Sequence, residues 1–97
     1  MKSLFSLGDV VMTNGIAHRC EADPCFFRLV EQALNLHANG IWGDLCDEDW
    51  NSNQEALRTG EDRIFSAYQL SDATDERIWI ITEWDRSVTT ILFPDEY

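Results

Sequence analysis

The fold of this chain is decided by Arg77-Ile78-Trp79-Ile80-Ile81-Thr82-Glu83-Trp84. β-Branched and aromatic side chains dominate this stretch, a composition typical of β-strands. Residues 63–70 and 88–93 have the same character, and short polar connections separate the three stretches. We therefore predict a three-stranded antiparallel β-meander that ends at Pro94, since proline cannot donate a ladder hydrogen bond.

Two helices are predicted before these strands. Asp23 can cap the first helix and Pro24 suits its first position, because proline has no N–H to lose there. Apolar residues then recur every three or four positions until Asn39-Gly40, where glycine allows the helix to end. A second helix is predicted from Cys46 or Asp47 to Thr59, with Gly60 closing it.

The signals before residue 23 are weaker. Residues 10–12 are compatible with a short strand or an extended lead-in, and a short helix is predicted near residues 16–21. The expected fold class is α+β, with two to three helices packed on the three-stranded meander. The 97 residues suit a single domain, in which 1–43 are mainly helical and 44–97 form an acidic helix plus the meander.

Negative charge is concentrated in the second half of the chain. Residues 1–43 carry four acidic and three basic side chains, whereas residues 44–97 carry fourteen acidic and four basic ones, and the net charge is −11. Phosphates would be repelled, so direct nucleic-acid binding is not expected. A basic partner is expected instead, although an acidic surface can also serve only to keep a protein soluble.

The candidate partner-binding residues are carboxylates grouped along this half. Helical carboxylates one turn apart are spaced at about 5.4 Å, which is close to the spacing of phosphates along nucleic acid. If the helix extended to Asp44, then Asp44, Glu48 and Glu55 would share one face. The full candidate set is Asp44, Asp47, Glu48, Asp49, Glu55, Asp72, Asp75 and Glu76.

One tryptophan is a further candidate. Trp79 and Trp84 lie five positions apart, so they point to opposite faces of a continuous strand and cannot share one core. Exposed tryptophans often anchor protein interfaces. We therefore predict that Trp84 contributes to partner binding.

Catalytic and metal motifs are incomplete. The run Asp47-x-Asp49-x-Asn51 begins like a calcium loop, but Ser52 and Arg58 occupy the positions that require glycine and glutamate. The cysteines and histidines lack the spacing of a zinc site, and no oxyanion-hole signature accompanies them. We expect no cofactor, no metal and no enzymatic activity. A small enzyme with a bound metal or a reactive thiol remains a third alternative.

The second half of the chain also resembles a known family. The matching residues are Trp42-Gly43-Asp44-Leu45-Cys46, Asp49, Asn53, Ala56-Leu57, Gly60, Arg63-Ile64-Phe65-Ser66-Ala67-Tyr68, Trp79-Ile80-Ile81-Thr82-Glu83, Asp85-Arg86-Ser87-Val88-Thr89-Thr90-Ile91-Leu92 and Pro94-Asp95-Glu96-Tyr97. In these residues the chain is similar to small plasmid-related proteins of mobile elements, some of them labelled as type I restriction "subunit M". It departs from them at Ile41, where the family tends to have an acid.

The label does not describe an activity that the sequence can support. A DNA methyltransferase needs a glycine-rich nucleotide-binding unit and an Asn-Pro-Pro-aromatic motif, and the sequence contains neither. The resemblance implies a mobile-element setting. Small acidic proteins of that class often inhibit host defence, so by analogy we expect an anti-CRISPR or anti-restriction inhibitor that imitates DNA.

The expected partner is the basic nucleic-acid-binding surface of a host defence complex in the bacterial cytoplasm. No membrane association is expected, because no apolar stretch is long enough to span a bilayer. The protein is expected to be a monomer or a weak homodimer. The alternative is an accessory protein-interaction module of a mobile element, without DNA mimicry.

Overall fold

The computed structural model describes residues 4–71 and 76–97, which form three α-helices, four strands and one short 3-10 turn. The predicted α+β class is confirmed. In chain order the elements are β1 (Asp9–Met12), α1 (Asn14–Ala22), α2 (Pro24–Ala38), α3 (Asp47–Thr59), β2 (Ile64–Ser71), β3 (Glu76–Thr82), β4 (Val88–Leu92) and the 3-10 turn (Pro94–Glu96).

The helix ends follow the local chemistry that predicted them. The Asp23 carboxylate accepts hydrogen bonds from the backbone N–H groups of Cys25 (3.0 Å) and Phe26 (3.4 Å), and Pro24 begins α2. α3 begins at Asp47 and is closed by Gly60, whose φ of 69° lies in the left-handed region. Both helix ends could be predicted from the sequence because each involves residues only a few positions apart.

The predicted meander is present, but the sheet has one strand more than predicted. Its order is β1-β4-β3-β2, and both the β2–β3 and β3–β4 pairs are antiparallel. β1 lies parallel to β4, with Val10 opposite Thr89 and Met12 opposite Ile91. The antiparallel-only prediction was therefore wrong. Residues 10–12, for which the sequence allowed a short strand or an extended lead-in, belong to the strand β1. Because β1 pairs in parallel with β4, which is distant in sequence, the sheet is mixed.

One face of the sheet, the inner face, packs against α1 and α2. Its core includes Ile78 and Ile80 of β3 and Ile91 of β4, which contact Ile16 of α1 and Val30 of α2. All five side chains are essentially inaccessible to water. Burial of these branched side chains is the main force that holds the helices on the sheet.

The opposite face, the outer face, carries aromatic and aliphatic side chains from alternate strand positions. Phe65 of β2 and Trp79 of β3 meet edge to face, with ring centroids 5.1 Å apart. Tyr97 contacts the other side of Trp79, at 5.6 Å. In this aromatic row Phe65 and Trp79 are half-buried and Tyr97 is exposed, beside Asp49 at the N-terminal end of α3.

Glu96 attaches the C-terminal 3-10 turn to α1. Thr13 precedes α1 but makes no side-chain capping bond. Instead, the Glu96 carboxylate accepts hydrogen bonds from the Thr13 hydroxyl (2.6 Å) and the Gly15 amide (3.2 Å). The hydrogen bond from Thr13 is the main reason that the pKa of Glu96 is lowered. A distant carboxylate therefore caps this helix, which favours negative charge at its N-terminus.

Candidate functional site

The N-terminal turn of α3 presents three carboxylates to water. Asp47, Glu48 and Asp49 are all exposed and occupy the first turn, where the positive end of the helix dipole stabilises negative charge. Cys46 precedes the helix without a side-chain capping bond, so these acids supply the favourable charge at this end. The structure therefore places three of the predicted site residues together.

A buried amide fixes the orientation of α3. Asn53 is 2% exposed; its Nδ2 donates to the Phe65 carbonyl (2.7 Å), and its Oδ1 accepts from the Phe65 amide (3.0 Å). Since β2 lies at the edge of the sheet, these two bonds occupy backbone groups that would otherwise lack a strand partner. Trp50 adds an edge contact with buried Trp42, at 5.3 Å. The polar side of α3 consequently faces water.

Asp44 is placed by the sheet edge, not by the helix. Its backbone N–H donates to the Ala67 carbonyl (2.8 Å), and the Ala67 amide donates to the Trp42 carbonyl (3.2 Å). α3 begins three residues later, so the condition under which Asp44 would share a helical face with Glu48 and Glu55 is not met. The extended path along β2 instead brings Asp44 to the outer face, where it lines a cleft together with Asp49.

Three adjoining clefts connect the carboxylates of this region. The first, of about 230 Å³, is lined by Asp44 and Asp49, and we call it the aromatic cleft because Phe65 and Trp79 also line it. A second cleft of about 200 Å³ shares Asp49 with the first and also contains Asp62. A third cleft of about 380 Å³ shares Asp62 with the second and adds further acids. The carboxylates that line this surface, named here the acidic band, are Asp44, Asp49, Glu55, Glu61 and Asp62.

Within the described ranges, four members of the acidic band make no ion pair, namely Asp44, Asp49, Glu61 and Asp62. Arg63 also lines the second cleft, but its guanidinium donates to the Tyr97 hydroxyl (2.7 Å). Glu61 and Asp62, in the loop between α3 and β2, were not among the predicted site residues. Their part in a shared surface depends on how that loop folds back beside α3.

Glu55 is partly neutralised by the chain itself. Its carboxylate forms an ion pair with Arg58 one turn later on α3, with a second contact from Arg58 Nε at 3.2 Å. The hydrogen bonding of Arg58 lowers the pKa of Glu55. Both groups are well exposed, so the pair is a weak, salt-sensitive one. Glu55 therefore contributes less net negative charge than the sequence suggested.

Glu76 does not join the band. Glu76 begins β3 and forms an ion pair with Arg19 of α1 at 2.7 Å, so it holds the helix layer to the sheet. Arg19 also contacts Asp23 at 3.3 Å. Asp72 and Asp75 lie outside the described residues.

Trp84 lies in the turn after β3, which Arg86 links to the backbone of Asp62. Trp84 is 62% exposed, whereas Trp79 is half-buried in the aromatic row. Because β3 ends at Thr82, the two tryptophans do not lie on opposite faces of one strand as expected, and Trp84 is exposed because it lies in the turn after β3. Arg86, at a φ of 60°, donates to the backbone carbonyls of both Trp84 (3.2 Å) and Asp62 (2.7 Å). Another of its N–H groups reaches the Ala56 carbonyl (3.2 Å). Arg86 thus holds the turn that carries Trp84 against the end of α3 and the acidic band.

His37 lies in the core and not at a surface site. Its ring nitrogens contact the hydroxyls of Ser66 and Thr82, the latter at 2.8 Å from Nε2, and Thr82 contacts Thr89 at 2.8 Å. Burial lowers the pKa of His37 to about 4, so the imidazole is neutral at physiological pH. The described residues include no group of three or more histidine, cysteine, aspartate or glutamate side chains that could hold a metal ion.

The Asp85 carboxylate has a structural partner in Ser87. Asp85 accepts hydrogen bonds from the Ser87 amide (3.1 Å) and hydroxyl (2.6 Å), which closes the turn between β3 and β4. The hydrogen bond from the Ser87 hydroxyl is the main cause of the lowered pKa of Asp85. This carboxylate is therefore used in turn formation.

Among the described residues, none of the helices has both the length and the apolar character that crossing a bilayer requires. No family model, curated protein or solved structure matches the chain. The resemblance to plasmid-related proteins of mobile elements stays a prediction.

Proposed function

We propose that this protein is an acidic inhibitor of a host defence complex, either CRISPR or restriction, which blocks nucleic-acid binding by imitating DNA. The observation that carries the proposal is the continuity of the acidic band, in which adjoining clefts share Asp49 and Asp62. Asp47 and Glu48 add exposed charge at the start of α3. The mobile-element setting comes from the sequence resemblance, and the proposed place of action is the bacterial cytoplasm.

Charge and rigidity both support this function. A surface rich in carboxylates attracts a groove that binds phosphates through lysine and arginine, and the attraction speeds association. Asn53 and Arg86 hold the acidic elements on the sheet through hydrogen bonds to backbone groups. Because the backbone elements that carry the charges are already joined to the sheet, less conformational entropy is lost on association than for a chain that must fold on binding.

The test is competition for DNA on a purified type I CRISPR surveillance complex and on a type I restriction complex. The protein is expected to displace DNA from one of them, and high salt should weaken the effect. The triple variant D44N/D49N/D62N is expected to lose inhibition. The matched control D9N/E21Q/E31Q removes the same charge from exposed positions on β1, α1 and α2, and should retain inhibition.

Equal loss of inhibition in both triple variants would show that only net charge matters, which contradicts a defined binding surface. Full inhibition by D44N/D49N/D62N would remove the acidic band from the mechanism. Circular dichroism and urea unfolding of both variants establish that the fold is retained.

A second function is favoured by one observation, the exposure of Trp84 on a turn held by Arg86. An accessory interaction module would bind its partner mainly through this apolar side chain. Binding would then change little with salt, and Trp84→Ala would abolish it while D44N/D49N/D62N would not. The two candidate functions therefore give opposite results with the same pair of variants.

A further inference from the structure

The aromatic cleft combines an aromatic surface with carboxylates at its rim. Phe65 and Trp79, from neighbouring strands of the outer face, line the cleft, and Asp44 and Asp49 flank them. Arg77 also lines the cleft, two positions before Trp79 on the same face of β3. Its volume of about 230 Å³ is below the range of about 300–1,000 Å³ typical of cofactor and drug sites. The cleft therefore suits a single side chain.

The protein already builds this kind of site for one of its own side chains. The Arg19 guanidinium carbon lies 4.7 Å from the centroid of the Phe26 ring, and its nitrogens donate to the carboxylates of Asp23 and Glu76. An aromatic face and two carboxylates thus hold one guanidinium. The aromatic cleft offers the same groups, and in the described part of the chain neither Asp44 nor Asp49 forms an ion pair.

We propose that the aromatic cleft receives an arginine side chain from the basic partner, with the guanidinium stacked on Trp79 or Phe65 and its N–H groups donated to Asp44 and Asp49. This inference rests on the proposed function, because it specifies how the same acidic surface recognises its partner. Arginine suits the cleft better than lysine, since its planar group stacks on aromatic rings and pairs with carboxylates through several N–H groups.

Charge argues against a second copy of this chain as the occupant. A copy with a net charge of −11 would approach the aspartates of the cleft against long-range repulsion. A polyphosphate or a nucleic acid is disfavoured for the same reason. A cationic segment matches both the rim and the aromatic surface.

A cysteine of the aromatic cleft can report whether the cleft is occupied. Cys46 lines it and is exposed, whereas Cys25 is exposed on α2, the helix that packs on the inner face. An arginine side chain seated between Asp44 and Asp49 should slow alkylation of Cys46 and leave the rate at Cys25 unchanged. The alkylation rates of the two thiols, followed by mass spectrometry of peptides, therefore map the bound position within one molecule.

The experiment compares an oligoarginine peptide with an oligolysine peptide of equal length, by calorimetry and by alkylation at fixed salt. Oligoarginine is expected to bind about three- to fivefold more tightly, which corresponds to an exposed cation–π contact. It should protect Cys46 selectively. The D44N/D49N variant should lose both the preference and the protection. Trp79→Leu should lose the preference for oligoarginine while retaining salt-dependent binding. If Trp79→Leu does not fold, the D44N/D49N variant, shown by unfolding measurements to be folded, still tests the proposal.

Equal, salt-sensitive binding of the two peptides without protection of Cys46 would overturn the arginine site and leave the acidic inhibitor proposal intact. Protection of Cys25 and Cys46 to the same extent would also overturn it, because binding would then be diffuse. Failure of both peptides to bind at low salt would count against the proposed function as well.

Discussion

Asn53 and Phe65 are joined by two hydrogen bonds between a side-chain amide and a backbone peptide group, 2.7 and 3.0 Å long. The amide of Asn53 here takes the place of a neighbouring strand at the edge of β2. This contact joins α3 to the sheet, and the acidic band depends on it because Asp49 and Glu55 belong to the same helix.

Replacing Asn53 by alanine should therefore destabilise the protein. The change leaves the N–H and C=O of Phe65 without these partners at a nearly inaccessible position, which costs about 1–3 kcal/mol in the free energy of unfolding. Urea denaturation measures the loss. The neighbouring exposed residue supplies the control, since Gln54→Ala should change stability by less than about 0.5 kcal/mol. Equal stability of the two variants would contradict the structural role of the Asn53 amide.

Two glycines with nearly the same backbone conformation should respond differently to alanine. Gly43 and Gly60 have φ values of 73° and 69°, so alanine at either position costs about 1–2 kcal/mol for the left-handed conformation. A Cβ at Gly43 would lie 2.1 Å from the Ala67 carbonyl oxygen, whereas a Cβ at Gly60 would meet nothing within 4 Å. Gly43→Ala should therefore cost about 3 kcal/mol or more, because overpacking is added to strain.

Thermal unfolding of the two glycine variants tests this difference. Gly43→Ala should also weaken partner binding, since the clash displaces the segment that positions Asp44 beside β2. Similar unfolding temperatures for both variants would show that the Gly43 segment can move away from Ala67 at little cost.

Acid should destabilise the protein partly through His37. Burial lowers the pKa of this imidazole from 6.5 to about 4, so the unfolded chain binds the proton more tightly than the folded one does. The stability that comes from keeping His37 neutral in the core is fully present above pH 6.5 and is lost as the pH falls from 6.5 toward 4. A shift of this size corresponds to about 3 kcal/mol.

The measurement is the free energy of unfolding between pH 6.5 and 5, above the range in which most carboxylates titrate. His37→Gln should be less stable at neutral pH and should show a flatter pH dependence in this interval. The control is His18→Gln, at an exposed position of α1, which should follow the parent protein. An unchanged slope in His37→Gln would assign the acid sensitivity to other groups.

Trp84→Ala separates stability from binding. The side chain is mostly exposed, so the free energy of unfolding should change by less than about 0.5 kcal/mol. If the turn lies within the partner interface, truncation of a tryptophan should cost about 2 kcal/mol or more of binding free energy. Binding assays with the defence complexes measure this cost. Undiminished affinity would place Trp84 outside the interface and leave recognition to the acidic band.

Helix ends in this fold could be predicted from the sequence because the residues that determine them are neighbours in the chain. Asp23 and Pro24 specify the start of α2 within four residues, and Gly60 specifies the end of α3. In each case the deciding interaction joins groups that are close in sequence.

Only part of the acidic surface could be predicted from the sequence. The sequence indicated its charge and its location around α3, but it did not show which acids share a surface, and Glu61 and Asp62 were not among the predicted site residues. Pairing with Arg19 removes Glu76 from the acidic surface, across 57 positions of the chain. No periodicity encodes such a contact, because it arises only when α1 packs on the sheet.

The sequence by itself determined the helices, the meander strands and the excess of negative charge, since capping, side-chain alternation and composition act over short distances. Only the tertiary structure decided the parallel pairing of β1 with β4, the edge contact between Asn53 and Phe65, and the set of carboxylates that share a surface. The physical reason is that these features depend on long-range packing, in which burial of the common core fixes which distant groups meet.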